Sequence, residues 1–137
     1  MISRGIMVHA GAAMKSIIFS IAGIAMLIGA ALSALSTRRF VQEAARAPGL
    51  VYATPFGGSH PQIEFVTRSG QKEQFPQGGW IGGYKVGDRV TVLYRPEDPR
   101  IGASIDAVGA LWDGPIFLFP MGLFFCLAGI FGNRFSD

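Results

Sequence analysis

The sequence predicts an α+β membrane protein, in which two transmembrane helices flank a small antiparallel β-domain, barrel-like and of about five strands. Three observations carry this expectation. Apolar residues make up 50% of the chain and charged residues 15%, where a soluble domain carries about 25% charged residues. Two long stretches, residues 16–37 and 114–133, hold no charged side chain. Between them the pattern turns to β-branched and aromatic residues alternating with polar ones and punctuated by Gly and Pro. The 137 residues suffice for one compact domain and not two.

Taken in order, residues 1–15 read as an N-terminal leader without a periodic pattern. Met14-Lys15 has the form of a natural start, so residues 1–13 are an extension or a mis-assigned start and receive no role. Residues 16–37 form transmembrane helix 1. Their length corresponds to roughly 33 Å of helix, enough for a hydrocarbon core of about 30 Å. A cleaved signal peptide is the alternative, with Ala31 and Ala34 as cleavage-site residues, but the apolar core exceeds the usual length of about 7–15 residues. Residues 38–47 read as a juxtamembrane helical extension with Phe40, Val41, Ala44 and Ala45 on one side, ended by Pro48-Gly49.

The β-domain spans residues 48–108, with strands expected at 50–54, 62–68, 71–75, 89–95 and 103–106. Ser69-Gly70 has the form of a two-residue hairpin turn. Ile63, Phe65, Val90, Val92 and Tyr94 supply the alternating inward positions. An insert of this size buries little core, so its stability leans on the helices or on a partner. Transmembrane helix 2 occupies residues 112–133. Asp113 is its expected N-cap and Pro115 sits in its first turn, whereas Pro120 is expected to kink it. Trp112 and Phe135 stand at its boundaries as interfacial anchors, and residues 134–137 form a tail.

The run His60-Pro61-Gln62-Ile63-Glu64-Phe65, then Ser69-Gly70-Gln71, then Tyr84-Lys85-Val86-Gly87-Asp88-Arg89-Val90-Thr91-Val92-Leu93-Tyr94-Arg95-Pro96-Glu97-Asp98-Pro99 resembles the bacterial membrane-protein family called domain of unknown function 3592. The likeness covers about residues 49–106. It implies a β-domain set between two membrane helices and brings no activity with it. Family members more often carry Asp or Asn where Arg95 stands, which speaks against an acidic ligand at that position.

The most unusual stretch is Gly78-Gly79-Trp80-Ile81-Gly82-Gly83-Tyr84. Trp80 and Tyr84 make it a candidate contact loop for a ligand, a lipid headgroup or a partner strand. The plainer reading is a long connection whose aromatics pack on the barrel or rest on the membrane. A phosphate cradle is excluded, because the glycines do not open a helix and no Lys-Ser/Thr follows. His60 has no second ligand or nucleophile beside it, and His9 lies in the leader. Glu97-Asp98 falls in a turn between prolines, where adjacent side chains diverge. Cys126 reads as a small apolar residue within the second span. Ala25, Gly29 and Ser33 recur every four residues on the first span, and Gly122, Cys126 and Gly129 lie close on the second. These are candidate faces for close helix packing.

No catalytic, cofactor-binding or metal-binding residue is assigned, and the chain is not read as an enzyme. The net charge of +3 suggests nucleic acid only until its distribution is considered. Residues 36–113 hold nine Lys/Arg against eight Asp/Glu, which leaves no basic stripe for a phosphate backbone. A transporter is disfavoured because neither span contains an ionisable group. The expected partners are the lipid bilayer and, through the small-residue faces, other membrane proteins or a second copy. The sequence thus reads as an uncharacterised integral protein of the bacterial inner membrane whose β-domain contacts protein or envelope. The alternative is a ligand-binding or enzymatic accessory with its site at the Trp80 loop. Arg38, Arg39 and Arg46 after the first span lean toward a cytoplasmic β-domain. Lys15 ahead of it suits export, so both sides stay open.

Overall fold

The computed structural model describes residues 2–132 and 134. Phe135, one of the two expected anchors, and most of the tail lie outside the described residues. The elements in chain order are α1 (Ile2–Glu43), β1 (Ala45–Ala53), β2 (Gln62–Val66), β3 (Lys72–Pro76), β4 (Arg89–Tyr94), β5 (Ser104–Ile105), α2 (Val108–Leu111) and α3 (Asp113–Phe131). They fall into two compact units, one of Met1–Ala34 with Gly114–Asp137 and the other of Leu35–Asp113.

The first unit pairs the apolar part of α1 with α3, and both helices are long and apolar enough to cross a membrane. α1 runs unbroken through the stretch read as a patternless leader. The stretch contains no proline, its Gly5 and Gly11 are offset by Ala10, Ala12, Ala13 and Met14, and extending an existing helix is far cheaper than nucleating one. α3 likewise continues through Pro120, where a kink is expected, and it takes Asp113 as a first-turn residue. That position sets the carboxylate against the positive end of the helix dipole. Pro115 falls among the first four residues, whose N–H groups have no partner within the helix.

The second unit is a five-stranded antiparallel sheet in the order β3-β2-β1-β4-β5. The strands stand close to their expected places, except that β1 begins at Ala45 and takes over the end of the stretch read as helical extension. α1 stops at Glu43, with Ala44 N–H still bonded to the Phe40 carbonyl at 2.8 Å. Ala45 and Ala47 are buried inward positions of β1, opposite Tyr94 and Val92 of β4. Both belong to the apolar cluster that Tyr94 and Val92 also line. Pro48 precedes the first residue of β1 that pairs with β2, Gly49. Its missing N–H therefore falls where β1 is flanked only by β4.

The core unites Ala45, Ala47, Val51, Ile63, Phe65, Phe75, Val92, Tyr94 and Ile105. Phe65 sits between Phe75 and Tyr94, with ring centroids 5.8 and 5.3 Å away. The Tyr94 hydroxyl leaves this apolar centre to accept the Arg68 N–H at 2.9 Å. Of the expected inward positions, Val90 packs only at the core margin; Leu93, which is not among them, is buried out of alternation. The β2–β3 hairpin closes through Thr67, whose N–H donates to the Gln71 carbonyl at 2.8 Å, and through Gly70 at φ +88°.

The two edge strands also meet. The Gln77 side chain, just past β3, accepts the Ile105 N–H of β5 through Oε1 at 2.8 Å and donates through Nε2 to the Gly78 carbonyl. Arg100 pairs with Glu73 of β3 at 3.4 Å. The sheet is thereby curled into a half-barrel, with side chains in place of a sixth ladder.

Candidate functional site

Loop 78–84 is fixed to the sheet unit by its backbone. Trp80 N–H donates to the Gly109 carbonyl of α2 at 2.7 Å, and Tyr84 N–H donates to the Gly58 carbonyl at 3.3 Å. Gly79 and Gly83 have φ of +98° and +78°, values that side-chain-bearing residues seldom adopt. A methyl group at Gly109 would overlap the Trp80 carbonyl. The loop and α2 therefore approach as closely as backbones can. Ile81 and Tyr84 pack against the core from this loop, while Trp80 is 72% exposed. The reading in which both aromatics pack on the barrel holds for Tyr84 alone.

The hollow beside the loop is shallow, about 390 Å³, and is lined by Ser59, Gly79, Trp80 and Ile81. Neither Tyr84, His60 nor any carboxylate lines it, so the polar groups an enzyme would need do not converge there. His60 is exposed. Asp98 belongs to a turn, with its N–H on the Arg95 carbonyl at 3.1 Å and its Oδ1 accepting Arg100 N–H at 3.3 Å. Among the described residues, no three of His, Cys, Asp and Glu stand close enough to hold a metal ion. The ion pairs Arg46–Asp106 at 2.5 Å, Lys72–Glu64 at 3.4 Å and Arg100–Glu73 join surface strands and loops. Exposed pairs of this kind add about 0–1 kcal/mol each.

In the helical unit, Gly122 and Gly129 are buried, and Cys126 lies beside them. The α1 residues that meet them are chiefly Ser16, Ser20, Gly23 and Leu27. Ser16 Oγ donates to the Gly129 carbonyl, and Phe19 stacks on Phe125 with centroids 5.5 Å apart. Ala25 is exposed on the opposite side of the helix. Gly29 has only the Leu118 side chain within van der Waals reach, and Ser33 lies against Gly114. The contact face thus follows Ser16, Gly23, Ala30 and neighbouring residues at a seven-residue spacing, which keeps one seam on a partner helix. A four-residue repeat drifts off that seam, so Ala25 is lost while Gly29 and Ser33 stay near it. An open hollow of about 530 Å³ at the start of α1 is lined by Gly11, Ala12, Lys15 and Ala128, among others.

Two structurally decisive residues escape a reading of the sequence. Gln77 is an ordinary polar residue after a strand, and Gly109 looks like a chance glycine ahead of a helix. Only the three-dimensional neighbours show what each one does.

No family model matches the chain, and no solved structure matches it. The resemblance to domain of unknown function 3592 is therefore withdrawn. The residues that suggested it have local explanations: alternation that fills one face of a sheet, and glycines at positive φ at positions 70 and 87. Any small antiparallel sheet calls for the same pattern. A relative does match. Immune protein Tsi4 of Pseudomonas aeruginosa is 38% identical over 122 residues, covering 89% of this chain and 84% of that protein. This overturns the reading of the chain as an uncharacterised membrane protein serving general envelope contact, and with it the description by a domain of unknown function. An identity of this size over most of both chains leaves no room for a merely local likeness, and the chain belongs to the family of immune protein Tsi4.

Proposed function

We propose that this protein is an immunity protein, which protects the cell that makes it by binding a toxin protein, and that it does so while held in the bacterial inner membrane. The observation that carries the first part is the 38% identity to immune protein Tsi4 over nearly the whole chain. Protection of this kind needs affinity and no turnover, so the chain acts by binding and catalyses no reaction.

The membrane part is supported by how the helical unit distributes its side chains. Its buried positions include Gly23, Ala30, Gly122 and Gly129, while Ile17, Ile21, Ile24, Ile28, Phe119 and Phe124 face outward. A water-soluble helix pair shows the reverse order. Small residues inside and large apolar residues outside are what helix association in lipid requires. An apolar surface this long left in water marks an aggregation liability.

The test is genetic. Cells of the source organism lacking this chain are grown in competition with their parent, with and without a plasmid copy. The deletion strain is expected to lose viability beside the parent and to recover with the plasmid. Equal survival of both strains, under conditions in which the parent inhibits unrelated competitors, overturns the proposal. Retention of the chain in membranes after alkaline carbonate washing checks its location separately.

A further inference from the structure

We infer that the Trp80 loop is a lipid-contacting anchor, which seats the sheet unit on the bilayer surface by inserting the Trp80 indole among the headgroups. This rests on the proposal that the two apolar helices cross the membrane. Within residues 35–113, Thr37 Oγ1 donates to the Leu111 carbonyl at 3.1 Å. Thr37 ends the uncharged stretch that begins at Ser16, and Leu111 stands two residues before α3 starts at Asp113. The two points at which the chain leaves the sheet unit for the apolar helices are therefore held side by side. The loop is tied to that same place, because Trp80 N–H bonds to the Gly109 carbonyl, two residues before Leu111.

The exposure of Trp80 is built in. Ile81 and Tyr84 fix the loop from the core side, Gly79 supplies the turn, and Gly109 lets the backbones touch. What this scaffold presents is an indole 72% open, with Phe56 at 79% and Val108 at 68% on the neighbouring loop and helix. No charged residue lies between Gln77 and Tyr84. A tryptophan with an apolar body and one N–H donor belongs at the boundary between hydrocarbon and water. A protein partner would also value an exposed tryptophan. The attachment to Gly109 favours lipid, because it ties the loop within four residues of the point where the chain passes from the sheet unit into α3.

The test uses the full chain reconstituted in phosphatidylethanolamine/phosphatidylglycerol vesicles containing brominated phosphatidylcholine, which quenches tryptophan on contact. The two tryptophans, Trp80 and Trp112, are separated by Trp112→Phe and Trp80→Phe. Trp112 stands one residue before α3 and reports on insertion of the helices. Trp80 is expected to lose most of its emission to lipid brominated near the headgroup and little to aqueous acrylamide. Adding Gly109→Ala, which the Trp80 carbonyl cannot accommodate, is expected to reverse that order. Quenching of Trp112 by brominated lipid with Trp80 open to acrylamide overturns the inference and leaves the spans intact. That result is the one a toxin-docking loop would give. Failure of brominated lipid to quench either tryptophan overturns the membrane reading and the inference with it.

Discussion

Gln77 is one of few buried polar side chains in the sheet unit, alongside Thr67 and Ser104, and it is the one that joins the two sheet edges. Gln77→Leu keeps similar bulk but leaves the Ile105 N–H buried without an acceptor. A loss of about 1–3 kcal/mol is expected, read as a lower midpoint when the sheet unit of the full chain is unfolded by denaturant in detergent. Tyr94→Phe removes a single hydroxyl, the acceptor for Arg68 N–H. It is expected to cost about 1 kcal/mol while leaving the ring packing in place. If both changes prove neutral, the half-barrel is held by apolar packing alone. Gly49 adds a steric counterpart, since a Cβ there would come within 2.6 Å of Val92 Cγ2. None of these roles is legible in the sequence. A glutamine after a strand looks like a solvated loop residue, and a hydroxyl on a core tyrosine gives no sign of its partner.

At the level of elements, much was legible, and the exceptions have physical causes. β2, β3 and β4 follow from alternation of apolar and polar residues, because one face of each is buried and the other is not. β1 was missed at its start because Ala45-Arg46-Ala47 has the composition of a helix. Its pairing with Tyr94, Leu93 and Val92 is what makes it a strand, and those partners lie nearly fifty residues away in the sequence. The helix pair offers a direct test of its seam. Gly122→Leu places a large side chain against the Gly23 carbonyl and the Leu27 N–H. Overpacking of this kind is expected to cost about 1–3 kcal/mol, seen as weaker resistance of the helical unit to a denaturing detergent. Ala25→Leu points away from the seam and is expected to change nothing. Gly29→Leu, which meets only the Leu118 side chain, should fall between them.

For the whole molecule, the division at residues 34/35 and 113/114 marks where to cut the chain for a folding test. A fragment of residues 35–113 is expected to give a mainly β circular dichroism spectrum and cooperative unfolding. A fragment of residues 48–108 loses Ala45, Arg46 and Ala47, which pair with Tyr94, Leu93 and Val92 of β4, and is expected to remain unfolded. Equal folding of the two would show that the start of β1 is dispensable. On the proposed membrane reading, the side occupied by the sheet unit is open to a chemical test at Ser69, which is exposed in the hairpin turn. Ser69→Cys in intact cells is expected to resist a membrane-impermeant thiol reagent until the inner membrane is permeabilised, with the parent chain and its single Cys126 as control. Rapid labelling of intact cells would instead place the sheet unit outside. The bridging of β3 and β5 by Gln77 and Arg100 also bears on how the sheet could meet an extended segment of another chain. Many proteins are seized by β-augmentation, in which an extended segment adds itself to a free sheet edge. Here β5 is two residues long, and the segment around it is already joined to β3. An added strand therefore finds little to pair with at the β5 end, whereas β3 is laddered on one side only, to β2, and its outer backbone edge over Lys72–Pro76 is the place where an extended segment could join the sheet.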